Sequence, residues 1–74
     1  MNLVDGVIGS EYIVRNIEVE ENIGRRLQAL GLTRGTKVKV LNNKKSGSVI
    51  FKVRGTRLAI WKKIAEGIKV CKEA

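Results

Sequence analysis

Two spacings of apolar residues share this chain, one of two residues and one close to 3.6. The run Glu11-Tyr12-Ile13-Val14-Arg15-Asn16-Ile17 is β-branched and aromatic and predicts a first strand. From Glu20 the period lengthens. Ile23, Leu27 and Leu30 recur at i, i+4 and i+7 while Glu21, Arg25 and Gln28 fall opposite, which predicts a short amphipathic helix that buries the three apolar residues. Glu20 and Glu21 suit the positive end of its dipole, Glu21 can pair with Arg25, and Gly31 stands where a left-handed residue would end it.

Lys37-Val38-Lys39-Val40-Leu41 alternates polar and apolar, the pattern of a strand with one buried face. Residues 42–48 have turn composition and should return the chain antiparallel, so that residues 49–53 pair back. Gly55 permits a tight turn into residues 57–60, where Leu58 and Ile60 share a face. Residues 62–66 make one helical turn that Gly67 ends, and Ile68-Lys69-Val70 closes the chain as a last strand. The expected fold is mainly β: a strongly bent sheet or small barrel of about five strands, with one short helix between the first and second.

Composition sets limits on function. The 74 residues are 43% hydrophobic, enough for one core, and are expected to form a single domain over 1–74. With 15 basic and 7 acidic residues the net charge is +8, a field suited to acidic partners or an anionic membrane surface. There is no histidine and a single cysteine, Cys71, so neither the usual proton shuttle nor a chelating thiolate pair is available. Glu18, Glu20 and Glu21 form the one acidic cluster and read as helix-start charges. Ser10, Ser46 and Ser48 have no activating base, and Asp5 has no evident partner. The spacing Gly31-Leu32-Thr33-Arg34-Gly35 lacks the Lys-Ser/Thr ending of a nucleotide-binding loop. No catalytic residue, cofactor, metal ligand or direct nucleotide site is expected. The longest apolar run, Leu58-Ala59-Ile60-Trp61, is far below the roughly 18–20 residues of a bilayer span. The N-terminal residues lack a secretory pattern, so a cytoplasmic location is expected.

The stretch Arg26-Leu27-Gln28-Ala29-Leu30-Gly31-Leu32-Thr33-Arg34-Gly35-Thr36-Lys37-Val38 resembles the Arg-Leu, Leu-Gly-Leu, Gly-x-x-Val core of the FeoA family. Val53-Arg54-Gly55-Thr56-Arg57-Leu58-Ala59-Ile60, followed by Ala65, Ile68 and Val70, resembles that family's second half, and Gly9 falls where the family has a glycine before its first strand. The resemblance spans about residues 3–72. It implies an SH3-like β-barrel serving as a small cytosolic component of ferrous iron uptake, whose partner is a FeoB-type membrane transporter with a cytosolic GTP-binding region. A related domain ends some metal-dependent repressors, where it is an interaction module. Trp61 departs from the family, which tends to place a basic or polar residue there.

Interface residues follow from spacing and residue type. Helical periodicity leaves Arg25 outward and Arg26 on its flank, while strand alternation sends Arg57, Ala59 and Trp61 away from the core, with Trp61 next to Lys62. Arg and Trp most often dominate interfaces, so Arg25, Arg26, Trp61 and Lys62 are the expected partner-binding set. The other outcome open to Trp61 is an indole folded down onto the barrel and helix end. Nucleic acid is the alternative partner: Lys37, Lys39, Lys44, Lys45, Lys52 and Arg54 could gather on one face, although Tyr12, Phe51 and Trp61 make a poor stacking platform. Weak self-association is left open.

Overall fold

The computed structural model describes residues 1–44 and 47–72. A 3-10 turn, Leu3–Asp5, precedes β1 (Glu11–Ile17), α1 (Glu21–Ala29), β2 (Lys37–Lys44), β3 (Ser48–Val53), β4 (Thr56–Trp61), α2 (Lys62–Ala65) and β5 (Ile68–Lys72). The five strands form one antiparallel sheet in the order β4-β3-β2-β1-β5. Because β4 and β5 are its two edges, the sheet is not closed by hydrogen bonds, and the barrel implied by the family resemblance is an open one. The sheet retains the expected strand number and helix placement.

Alternation decides what is inside. Tyr12 and Val14 of β1, Val38 and Val40 of β2, Val49, Phe51 and Val53 of β3, and Ile68 and Val70 of β5 are all buried. The intervening Lys37, Lys39 and Lys52 are exposed. Leu3, Leu27, Leu32 and Ala65 fill the remaining volume of the same core. Each large apolar side chain buried here contributes about 1.5–3 kcal/mol by leaving water. Leu58 and Ile60 of β4 are only half-buried, as expected of an edge strand at the rim of a small core.

The helix departs from its expected pattern at both ends. It starts at Glu21, with Glu20 as an N-cap whose side chain makes no capping bond. At the other end Leu30 is the C-cap and is 49% exposed, while Leu27 is buried and Ile23 half-buried. Gly31 at φ 97° reverses the chain, its N–H donating to Gln28 O at 3.0 Å and that of Leu32 to Leu27 O at 2.9 Å. This pair of bonds is a Schellman cap, and Leu27 and Leu32, at the two positions where such a cap usually carries apolar residues, are both buried in the core. The buried leucine is therefore the one after the reversal, which helical spacing cannot register.

Two further features were not legible in the pattern. Asn2 caps the 3-10 turn through Val4 N–H at 3.1 Å, and Asp5 accepts from Asn2 N–H at 3.5 Å, which gives Asp5 the partner that the sequence did not suggest. The Val70 N–H donates to Met1 O at 2.9 Å, so the N-terminus lies along β5. In β2 the register skips between Val40 and Asn42 and places Asn43, not Asn42, on the same side as Val49. Asn43 Nδ2 donates to Val4 O at 2.8 Å, so the segment read as turn is strand as far as Lys44. Of that turn, Lys45 and Ser46 lie outside the described residues.

Gly67 is held by proximity, not by φ. The Glu18 N–H donates to Gly67 O at 2.6 Å, and a Cβ on Gly67 would collide with the Glu18 carbonyl oxygen. That contact is backbone, so neither side can yield cheaply. Gly67→Ala should therefore lower stability by about 1–3 kcal/mol through overpacking. Gly31→Val should cost about 1–2 kcal/mol through left-handed strain. Urea midpoints at constant m-value measure both, and an unchanged midpoint for either would remove the corresponding constraint.

Candidate functional site

The expected partner-binding residues fall into two separate pairs. Arg25 and Arg26 project from α1 and are both exposed. Arg25 Nη2 donates to Glu21 Oε1 at 2.7 Å, but with side chains 72% and 77% exposed this i,i+4 pair adds little to stability. The two arginines border a shallow recess of about 470 Å³ with Asn22 and Ile23. Arg25 also edges a larger one of about 560 Å³, whose other walls include Ile17, Val19, Gln28 and Arg34.

Trp61 and Lys62 form the second pair. The indole is 65% exposed, with its six-membered ring alongside Gly47, and it borders a recess of about 440 Å³ with Lys62, Lys63 and Ile64. Of the two outcomes open to it, the ring leans on Gly47 yet leaves most of its surface in solvent. The Lys62 N–H donates to Gly47 O at 2.7 Å, which fixes the strand end that carries the ring. Trp61 faces Ser48, at the opposite end of the β3–β4 hairpin from Arg54 and Gly55. The end of α1 meets that other end, where a Cβ on Gly31 would lie 3.1 Å from Arg54 Cδ. The six residues of β3 separate the two ends by roughly 17 Å.

A basic groove opens at the Arg54–Gly55 end. Lys37, Lys39, Lys52 and Arg54, gathered in the sequence only as an alternative reading, do line one cavity of about 550 Å³ together with Glu11. Lys37 Nζ is 3.9 Å from Glu11 Oε2. Lys45 lies outside the described residues. Arg57 was missed as a member of this surface: it pairs with Lys52, and Lys52 pairs with Lys39. Only hairpin register reveals that adjacency.

Other chemistry is thin. Among the described residues no three of His, Cys, Asp and Glu lie close enough to hold a metal ion. Cys71 is half-buried opposite Ile13 on the β1–β5 ladder. The Gly31–Gly35 loop uses its amides internally, Gly35 N–H donating to Val14 O at 2.7 Å and Thr36 N–H to Thr33 O at 3.1 Å. Among the described residues no helix is long and apolar enough to cross a membrane.

An open five-stranded antiparallel sheet with one inserted helix and basic outer surfaces defines a small SH3-like module. A FeoA of Stenotrophomonas maltophilia described as a prokaryotic SH3 domain protein superposes with a TM-score of 0.81 at 24% identity, over 96% of this chain and 89% of that one, a likeness of fold. The FeoA protein of Chlorobium tepidum superposes with a TM-score of 0.93 at 35% identity, over 100% of this chain and 71% of that one. A candidate Fe(2+) transport protein A of Methanocaldococcus jannaschii is 36% identical over 62 residues, 84% of this chain and 74% of that protein. The FeoA domain model matches residues 1–72, and the chain belongs to the FeoA family, whose members are small proteins associated with ferrous iron transport.

Iron need not be held by the chain itself for such a role. Anaerobic titration calorimetry of the isolated protein with Fe(II) should give no stoichiometric micromolar site. A saturable one-to-one heat that disappears in Cys71→Ser would reverse that expectation.

Proposed function

We propose that this chain is a non-enzymatic cytoplasmic accessory protein of ferrous iron uptake that binds the cytosolic, GTPase-bearing region of a FeoB-type membrane transporter. The observation that carries the reading is the family match over residues 1–72, reached independently of any surface feature. The surface is consistent with it. A net charge of +8 draws the protein toward acidic partners, and Trp61, Arg25 and Arg26 supply the residue types that anchor interfaces. With the loop amides at Gly35 and Thr36 engaged within the fold, any influence on GTP turnover is exerted through the partner's own site.

The basic groove keeps a nucleic-acid module as the second reading. It is poorly equipped for that task, because Tyr12 and Phe51 are buried and cannot stack on bases.

Arg25→Glu with Arg26→Glu, or Trp61→Ala, should weaken binding to the transporter's cytosolic region with little loss of fold. Calorimetry, with circular dichroism as the folding control, measures this. Normal binding by all of these variants would move the interface away from both pairs.

A further inference from the structure

The outer face of β2, β3 and β4 combines features that folding alone does not require. Arg57 of β4 stands opposite Lys52 of β3, and Lys52 opposite Lys39 of β2. All three are exposed. Directly opposed residues on one face bring their Cβ atoms to about 4.5–5.5 Å, a distance at which like charges are destabilising. Arg54 adds a fourth exposed cation at the hairpin turn. The row meets its first carboxylate only at Glu11, opposite Lys39 on β1. Among the described residues neither Lys39, Lys52, Arg54 nor Arg57 takes part in an ion pair.

The same face continues toward the other end of the hairpin. Arg57, Ala59 and Trp61 alternate onto it from β4, and Ile50, opposite Ala59, joins it from β3. Ala59 is exposed and Ile50 half-buried, so the middle is small and apolar. Trp61 stands four residues from Arg57, about 13 Å along the strand. One surface thus presents a cation row, a low apolar saddle and an exposed indole in sequence.

We propose that this face is the docking surface for an acidic protein segment whose carboxylates lie across β2, β3 and β4 against Lys39, Lys52 and Arg57 and whose chain then follows β4 to set an apolar side chain against Trp61. The proposal extends the transporter-docking reading by naming the surface and the chemistry of the partner. Charge complementarity selects an anionic occupant. The indole and the Ile50–Ala59 saddle favour a protein segment over nucleic acid, because a lone ring about 13 Å from Arg57 cannot stack successive bases along a strand. A second copy of the chain is disfavoured by its own net charge of +8.

Two probes separate this proposal from the reading it extends. The first is the transporter's cytosolic region, titrated against wild type and against a Lys39→Glu, Lys52→Glu, Arg57→Glu variant. The second is a labelled extended peptide with three glutamates followed four residues later by a leucine, tested with its Glu→Gln and Leu→Ala controls. We expect the triple variant to lose about tenfold or more in affinity for both probes, each peptide control to bind more weakly than the parent, and Trp61→Ala to abolish the advantage of the leucine. Binding of the cytosolic region that is unchanged in the triple variant overturns the surface while leaving the transporter reading intact. No binding of that region to wild type removes the transporter reading, and the peptide then decides the surface alone. A single-stranded oligonucleotide or phosphatidylserine vesicles that bind more tightly than the peptide, with the same dependence on Lys39, Lys52 and Arg57, would overturn it in favour of a phosphate ligand. Circular dichroism of each variant shows whether the fold survives, and single reversals at Lys39 and Arg57 replace the triple variant if it does not.

Discussion

Everything in this protein follows from having one face of one sheet to bury. A chain of 74 residues cannot cover both sides of five strands, so the inner side receives Val38, Val40, Val49, Phe51 and Val53 and the outer side is left to water. The central strand β2 and its neighbour β3 supply that inner stripe, and β1 and β5 extend it. The outer positions of the same strands are then free of any packing requirement. Lys37, Lys39 and Lys52 take most of them on β2 and β3, with Ile50 between.

The rest of the architecture seals the ends of this half-covered core. The Schellman cap at Gly31 turns Leu32 back beside Leu27, which lets a nine-residue helix close one end with a narrow apolar contact. At the other end Asn43 holds the Leu3–Asp5 turn through Val4 O, and Tyr12 accepts the Val7 N–H at 2.8 Å on its buried phenol oxygen. Gly67 lets the β5 backbone reach Glu18 at the end of β1. These contacts are few, and each joins segments far apart in sequence or satisfies a backbone group that would otherwise be stranded.

Seen in this way, the charge of the chain has a location. Opposing like charges across Lys39, Lys52 and Arg57 weakens the sheet slightly, whereas alternating signs at the same positions would strengthen it. Glu11 supplies such a sign only at the β1 end of the row. The indole of Trp61, with Lys62 and Lys63 beside it, stands at the opposite end of the β3–β4 hairpin from Arg54 and Gly55. Arg25 and Arg26 stand apart from it on the helix, so the four residues expected to bind a partner do not form one cluster.

Alternation and helical period by themselves determined the strands, the helix and the inner stripe, because both are properties of neighbours a few residues apart. Glu11–Ile17 is β1 to the residue, and Gly31 does take the left-handed conformation that its position suggested. The family resemblance was equally a property of the sequence, carried by Arg26 to Val38 and Val53 to Ile60. Only the tertiary structure decided which leucine ends up inside, since the reversal at Gly31 exchanges Leu30 for Leu32. It also decided that Asn43 turns inward, because one extra residue at the β2 irregularity flips every later side chain. The separation of Arg25 from Trp61, and the addition of Arg57 to the row with Lys52 and Lys39, depend on strand register. The two-residue turn at Arg54 and Gly55 sets Arg57 opposite Lys52 locally, whereas register between β2 and β1 is fixed by partners more than a dozen residues apart, so no local pattern of the chain places Lys39 beside Glu11.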